Sequence, residues 1–234
     1  MASAYQVLLA LPEMAALDDA ERSKIREVFR ESSVPARTVL YREGDAAPGV
    51  YFLMDGFVRL SRSSADGREL VMSLCGPADV FGPCCDLFAV APAGCTAVAH
   101  TTARLLAMPA GVFRSLTLAE PRIARPLQML MSVGRRGCTD LASRLVFQPV
   151  ESRVASLLTR LTRWATPGVT PTELPPLLTH ADIAAACGTV REVVTRCLAH
   201  FEERGLIRRR GRRIVISDPE GLAAVERSAP AHAS

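Results

Sequence analysis

The chain has 234 residues, 49% of them apolar and 22% charged, with a formal net charge of +4. That composition suits a globular protein with a buried core. It is too apolar for a disordered chain and has no run near the roughly 20 apolar residues of a membrane span. Met1 to Ala10 carries no positive charge ahead of its apolar stretch and does not read as a secretory signal. A cytoplasmic protein with no membrane partner is therefore expected, its seven cysteines mostly free thiols or ligands.

Residues 13–31 are expected to be helical, with Ile25, Val28 and Phe29 on one side. From Thr38 to about Pro109 short alternating runs are broken by turn residues: Arg42-Glu43-Gly44-Asp45, Asp55-Gly56, Asp66-Gly67, Cys75-Gly76-Pro77 and Phe81-Gly82-Pro83. Asp-Gly between apolar runs signals a hairpin in which both central residues take positive φ. Many short strands at this spacing read as a sandwich or barrel. From Arg122 to Phe147 the period turns helical, and Leu127, Met131, Gly134, Cys138, Leu141 and Leu145 recur at 4-3-4-3-4. That is the spacing of a coiled-coil seam and predicts a partner helix; the alternative is a helix packed on its own barrel. Gln148-Pro149 ends this helix, Val150 to Trp164 forms another, and residues 166–176 are a Pro/Thr-rich loop. The small, polar tail after Ser228 is expected to fray.

The charge is concentrated towards the C-terminus. Residues 1–150 hold 16 basic and 15 acidic side chains, whereas eight Arg face three Glu between Cys187 and Ile216. A genome rich in G and C explains why Lys24 is the one lysine, but not this clustering. Arginine's planar fork suits phosphate and guanine, so the segment points to nucleic acid. Thr179 with Asp182, and Thr189 with Glu192, read as two capping boxes on either side of a Cys187-Gly188-Thr189 turn, with Gly188 left-handed. Two short helices around a glycine turn make a helix-turn-helix. On the second, Val194, Cys197, Leu198 and Phe201 form the buried stripe, while Arg191, Glu192, Thr195 and Arg196 face outward near its start, where such a helix reads base edges. A solvated face with a Glu192–Arg196 pair is the bland alternative. Arg208, Arg209, Arg210, Arg212 and Arg213 then lie in a wing before the strand Ile214-Val215-Ile216, some on phosphates and one or two orienting the turn.

These features resemble one known family. Thr179 through Ile207 is similar to the winged helix-turn-helix of the CRP/FNR bacterial transcription regulators. Tyr41-Arg42-Glu43-Gly44-Asp45, Val50-Tyr51-Phe52-Leu53, Gly56-Phe57-Val58, Asp66-Gly67-Arg68-Glu69 and Asp79-Val80-Phe81-Gly82 resemble that family's cyclic-nucleotide-binding β-roll. The resemblance implies an α+β fold: an N-terminal double-stranded β-roll (jelly-roll) over 1–120, a long dimerisation helix and hinge over 121–148, a winged helix-turn-helix over 149–228 and a tail, 229–234. It implies a homodimer on palindromic double-stranded DNA, with RNA polymerase as a further partner. Arg191, Glu192 and Arg196 align with the base-reading residues; Thr179, Thr189, Thr195 and the wing arginines complete the expected DNA contacts. Val190 and Val193 stand where the family usually carries hydroxyls.

The family's cyclic AMP binders hold ribose and phosphate with a Glu just after Phe-Gly and an Arg-Ser or Arg-Thr some ten residues on. Here those positions are Pro83 and Cys95-Thr96, which removes the charge-assisted partner, and cyclic AMP is not the expected effector. Cysteines take the place: Cys75, Cys84, Cys85 and Cys95 lie within 21 positions. Three roles are open to them: redox or nitrosative sensing, a metal or iron–sulfur site, or simple apolar packing. Haem through His100 or a cysteine is a further option, as are another organic effector and no effector at all. Cys138, on the helix seam, is a candidate for pairing across a dimer axis, whereas Cys187 and Cys197 are expected to pack. A cupin-like enzyme would need a His/Glu metal cluster, but of four His only His100 lies in the β-roll. A nucleotide-binding module without DNA would have no use for the helix-turn-helix. The expected protein is not an enzyme.

Overall fold

The computed structural model describes residues 4–46, 49–82, 92–165, 172–174, 178–211 and 213–228, with backbone alone over 131–139. It divides into two compact units, Met1–Arg62 with Met72–Thr139, and Asp140–Ser234 with Ser63–Val71.

In the first unit α1 (Ala4–Leu9) and a single 3-10 turn (Pro12–Met14) precede α2 (Asp19–Val28). The single helix expected over 13–31 is thus shorter at both ends. Asp18 starts it: its carboxylate accepts from the Glu21 N–H while Glu21 accepts from the Asp18 N–H, both at 2.9 Å. Phe29 ends it in extended backbone and leads into β1 (Arg30–Val34). Seven more strands follow: β2 (Val39–Tyr41), β3 (Gly49–Asp55), β4 (Val58–Ser63), β5 (Glu69–Cys75), β6 (Val80–Phe81), β7 (Thr96–Ala99) and β8 (Ala103–Pro109). They form two antiparallel sheets, ordered β1-β8-β3-β6 and β2-β7-β4-β5.

The two Asp-Gly turns differ. Asp66-Gly67 joins the neighbours β4 and β5, whereas Asp55-Gly56 carries the chain from one sheet to the other and is no hairpin. In both, glycine alone takes positive φ (+81° at Gly56 and at Gly67), so neither turn has two left-handed residues. At Gly56 a β-carbon would also lie 2.2 Å from the Thr102 carbonyl oxygen.

The central strands are buried on both faces, and the period-2 alternation sorts their residues between two cores. Val50 and Phe52 of β3, with Leu106 and Met108 of β8, pack against α1, α2, α3 (Ala110–Ala119) and the start of α4 (Pro121–Phe147). Leu53 and Leu105 instead face the space between the sheets with Tyr41, Val58, Leu60, Phe81 and Ala97. Tyr51 stacks there between Tyr41 and Phe81, at ring separations of 6.0 and 5.1 Å.

The second unit holds α5 (Val150–Leu161), β9 (Thr172–Glu173), α6 (His180–Cys187), α7 (Arg191–Glu203), β10 (Ile207–Arg210), β11 (Arg213–Ile216) and α8 (Pro219–Arg227). The short β9 falls inside the stretch expected to be loop and adds a third strand to the wing, ordered β10-β11-β9. The buried Ser152 hydroxyl donates to the Val225 carbonyl at 2.9 Å and ties α5 to α8. The architecture is α+β, with a two-sheet β-roll, a long helix and a winged helix-turn-helix. Among the described residues no helix is long and apolar enough to cross a membrane.

Candidate nucleic-acid interface

The two helices of the C-terminal motif meet through local chemistry. Thr179 caps α6: its hydroxyl accepts from the Asp182 N–H at 3.2 Å, and Asp182 accepts from the Thr179 N–H at 2.9 Å. Gly188 ends α6 in the left-handed region (φ +58°, ψ +48°). A β-carbon there would fall 2.5 Å from Cδ2 of Leu145, so the turn also has a tight neighbour. Thr189 belongs to this ending, because its N–H bonds back to the Ala184 carbonyl at 3.0 Å. That is the long-range bond of a Schellman ending.

The second capping box is therefore absent. Thr189 closes the preceding helix, and the residue capping α7 is Val190, in extended backbone with no side chain to accept from the first N–H groups. Relative to Ser or Thr, such a cap costs about 1 kcal/mol of helix stability.

Beyond this cap, Val194, Leu198 and Phe201 are buried as the spacing required, and Cys197 is half-buried. Arg191, Glu192, Thr195 and Arg196 are exposed at the N-terminal end. Among the described residues no ion pair joins Glu192 to Arg196, so their charged ends face water. Thr195 is engaged within the protein: its hydroxyl donates to the Arg191 carbonyl and lies 2.9 Å from Nδ1 of His180. With the hydroxyl proton so used, Nδ1 of His180 is the donor. Burial, then the Arg209 and Arg191 charges, hold the His180 pKa below its ordinary value. Sequence reasoning overlooked His180, although its place directly after the Thr179 cap puts it at the mouth of the motif.

The wing arginines divide into two sets. Glu202 near the end of α7 accepts from Nε of Arg209 at 2.7 Å, lies 2.6 Å from its NH2 group, and accepts from its backbone N–H at 3.0 Å. These bonds hold the Glu202 carboxyl below the usual carboxylate range. Arg213 pairs with Glu173 of β9. Arg208 and Arg210 are exposed on the opposite side of β10 from Arg209. Arg212 lies outside the described residues.

On the long helix Leu127 is fully buried in the core of the chain itself, and Leu141 is buried. Leu145 is half-buried beside Gly188, and the surroundings of Met131, Gly134 and Cys138 lie outside the description. In the β-roll, Cys75 is buried and Cys95 half-buried, both packed in the inter-sheet core. His100 is half-buried and donates its backbone N–H to the Phe57 carbonyl. Cys84 and Cys85 lie outside the described residues. Among those described, no three His, Cys, Asp or Glu side chains come together to hold a metal. Cys187 is buried and its thiol is pushed up to about 12 by burial, and burial also raises that of Cys197. Neither supplies a thiolate nucleophile at neutral pH.

Two family models match the chain: a cyclic nucleotide-binding domain over residues 31–120 and a Crp-like helix-turn-helix domain over 152–225. The chain is 32% identical, across 81% of its length and 84% of the relative's, to a CRP-like cAMP-activated global transcriptional regulator of Mycobacterium tuberculosis. It is 30% identical to the cyclic AMP receptor protein of Thermus thermophilus, over 77% of this chain and 80% of that one. The structure of FixK2 from Bradyrhizobium japonicum has the same fold, with a TM-score of 0.76 over 86% of this chain and 99% of that one at 24% identity. On these matches, and on the helix-turn-helix they cover, the chain belongs to the CRP/FNR family of DNA-binding transcription regulators.

Proposed function

We propose that the protein binds a palindromic DNA operator as a homodimer, inserting α7 of each protomer into the major groove. The observation that carries this is the exposed set Arg191, Glu192 and Arg196, without ion pairs among the described residues, at the start of a helix that buries Val194, Leu198 and Phe201 on its other side. Arg191 and Arg196 take O6 and N7 of guanine, and Glu192 accepts from N4 of cytosine. Arg208 and Arg210 take phosphates, while Arg209 and Arg213 brace the wing through Glu202 and Glu173. Arg212 joins the phosphate set by its place in the sequence, between Arg210 and Arg213. Thr179 and Thr189 act through helix ends and Thr195 through His180, so these three position the reading residues. The dimer forms along the long helix, through the seam segment that includes Met131, Gly134 and Cys138, with Leu141 and Leu145 beside it. Family likeness adds RNA polymerase as a protein partner and gives the domain limits 1–120, 121–148 and 149–228, with the tail at 229–234.

Cyclic AMP does not control this protein, in our reading. Pro83 and Cys95 stand where its carboxylate and guanidinium partners would be. The hydroxyl of Thr96 accepts from the Glu43 N–H at 3.0 Å. A second reading, activation by cyclic AMP, is favoured by the names of the Mycobacterium and Thermus relatives. Thiol, haem and iron–sulfur control turn on Cys84 and Cys85, which lie outside the described residues, together with Cys75 and Cys95 in the inter-sheet core and His100.

Selection of bound sequences from random duplex DNA by the full-length protein tests both points. A two-fold operator is expected, bound equally with and without cyclic AMP, and Arg196→Ala is expected to lose that operator while remaining a folded dimer. Unchanged affinity of Arg196→Ala would remove α7 as the reading helix; tightening by cyclic AMP would favour the second reading.

A further inference from the structure

We propose that Val190 is a specificity residue that reads the 5-methyl group of a thymine in the operator. The inference rests on α7 being the helix that enters the groove.

Val190 occupies the capping position of α7, where physical chemistry favours a small polar side chain that can accept a hydrogen bond. It offers none. It sits in extended backbone just ahead of the first helical turn and is 58% exposed, whereas Val194, Leu198 and Phe201 behind it are buried. The tip of the helix projects past the core that covers the rest. From Thr179 to Ile216, Val190 is the one large apolar side chain left in water among the described residues. The valine therefore gains neither the capping bond nor full burial in the free protein.

The neighbours say what would cover it. Val190 directly precedes Arg191 and Glu192, the exposed and ion-unpaired residues at the leading end of the helix. The N-terminal residues of such a helix are the ones that contact base edges. The edges displayed in the major groove are donors and acceptors, with one exception: the C5 methyl of thymine. An apolar side chain at the leading tip matches that group and no other base feature. The reading pattern is then mixed, with two arginines on guanine, one glutamate on cytosine and one valine on thymine.

The test uses full-length protein and the operator it selects from random duplex DNA. Each thymine in turn is replaced by deoxyuridine, which removes the methyl and leaves every hydrogen-bonding group in place. At one thymine per half-site the wild type is expected to bind about fourfold more weakly per half-site changed, the equilibrium effect of burying one methyl-sized group. Val190→Ala is expected to bind the thymine operator more weakly, to show no difference between thymine and uracil there, and to keep the wild-type melting temperature within a degree or two. If deoxyuridine is tolerated at every position, or if Val190→Ala weakens both operators equally, the valine does not read a methyl and the inference falls, with the reading helix intact. If the protein selects no sequence, or Arg196→Ala binds as well as wild type, the underlying assignment of α7 fails instead.

Discussion

At the scale of single residues, His180 links the two helices of the reading motif. Its ring donates to Thr195 on α7 while it sits on the first turn of α6, within the electrostatic reach of Arg209 and Arg191. Burial and the two positive neighbours lower its pKa in the folded chain, whereas in the unfolded chain it returns to about 6.5. As pH falls through that range the unfolded chain takes up the proton first, so the contribution of neutral His180 is present above about pH 6.5 and is lost below it. Urea unfolding of the full-length protein between pH 7.5 and 5.5 is expected to show a smaller loss of stability in His180→Gln than in wild type. Equal slopes would remove His180 as a titrating group. The neighbouring Thr179–Asp182 box and the left-handed Gly188 were legible in the sequence, because bonds spanning three residues and a positive φ have narrow residue requirements. The box at Thr189 was misread for an equally local reason: its backbone had already been taken by the end of α6.

At the scale of elements, the wing shows where sequence falls short. Five arginines within six positions look alike as letters. What separates them is Glu202, seven residues before Arg209, and Glu173, forty residues before Arg213, and that pairing depends on how α7, β9 and the hairpin pack. Each phosphate contact releases counterions and steepens the fall of affinity with salt by about 0.9 in the log–log slope. Arg208→Ala and Arg210→Ala are each expected to reduce that slope by about this amount, whereas Arg213→Ala leaves it nearly unchanged. Fluorescence anisotropy of labelled operator across a salt series measures it. A slope change at Arg213 as large as at Arg208 would abolish the division. The β-roll repeats the lesson. Alternation announced many short strands, but not that Asp55-Gly56 passes between sheets, since a turn dipeptide is blind to which neighbour the next strand will choose.

At the scale of the whole molecule, the proposed two-fold dimer would set two reading helices about 34 Å apart, one turn of DNA. Inserting five base pairs between the half-sites turns one of them to the far side of the duplex. Affinity is expected to fall to that of unrelated DNA, and band-shift titration of spaced operators is the check; indifference to the insertion would rule out simultaneous reading by two protomers. The long helix was legible as an element. Its seam was less so, because a 4-3 spacing marks apolar residues without saying whose core they enter, and Leu127 enters its own. The three bonds between Glu202 and Arg209 have a bearing on fidelity. They fasten α7 to the wing, so on the proposed reading of DNA the two move as one lever. A wrong base pair that tilts the helix also lifts the wing's arginines from their phosphates. In the proposed complex sequence error is thereby converted into lost charge attraction, a penalty largest at low salt, and a second lever on the other half-site levies it wherever the mistake falls.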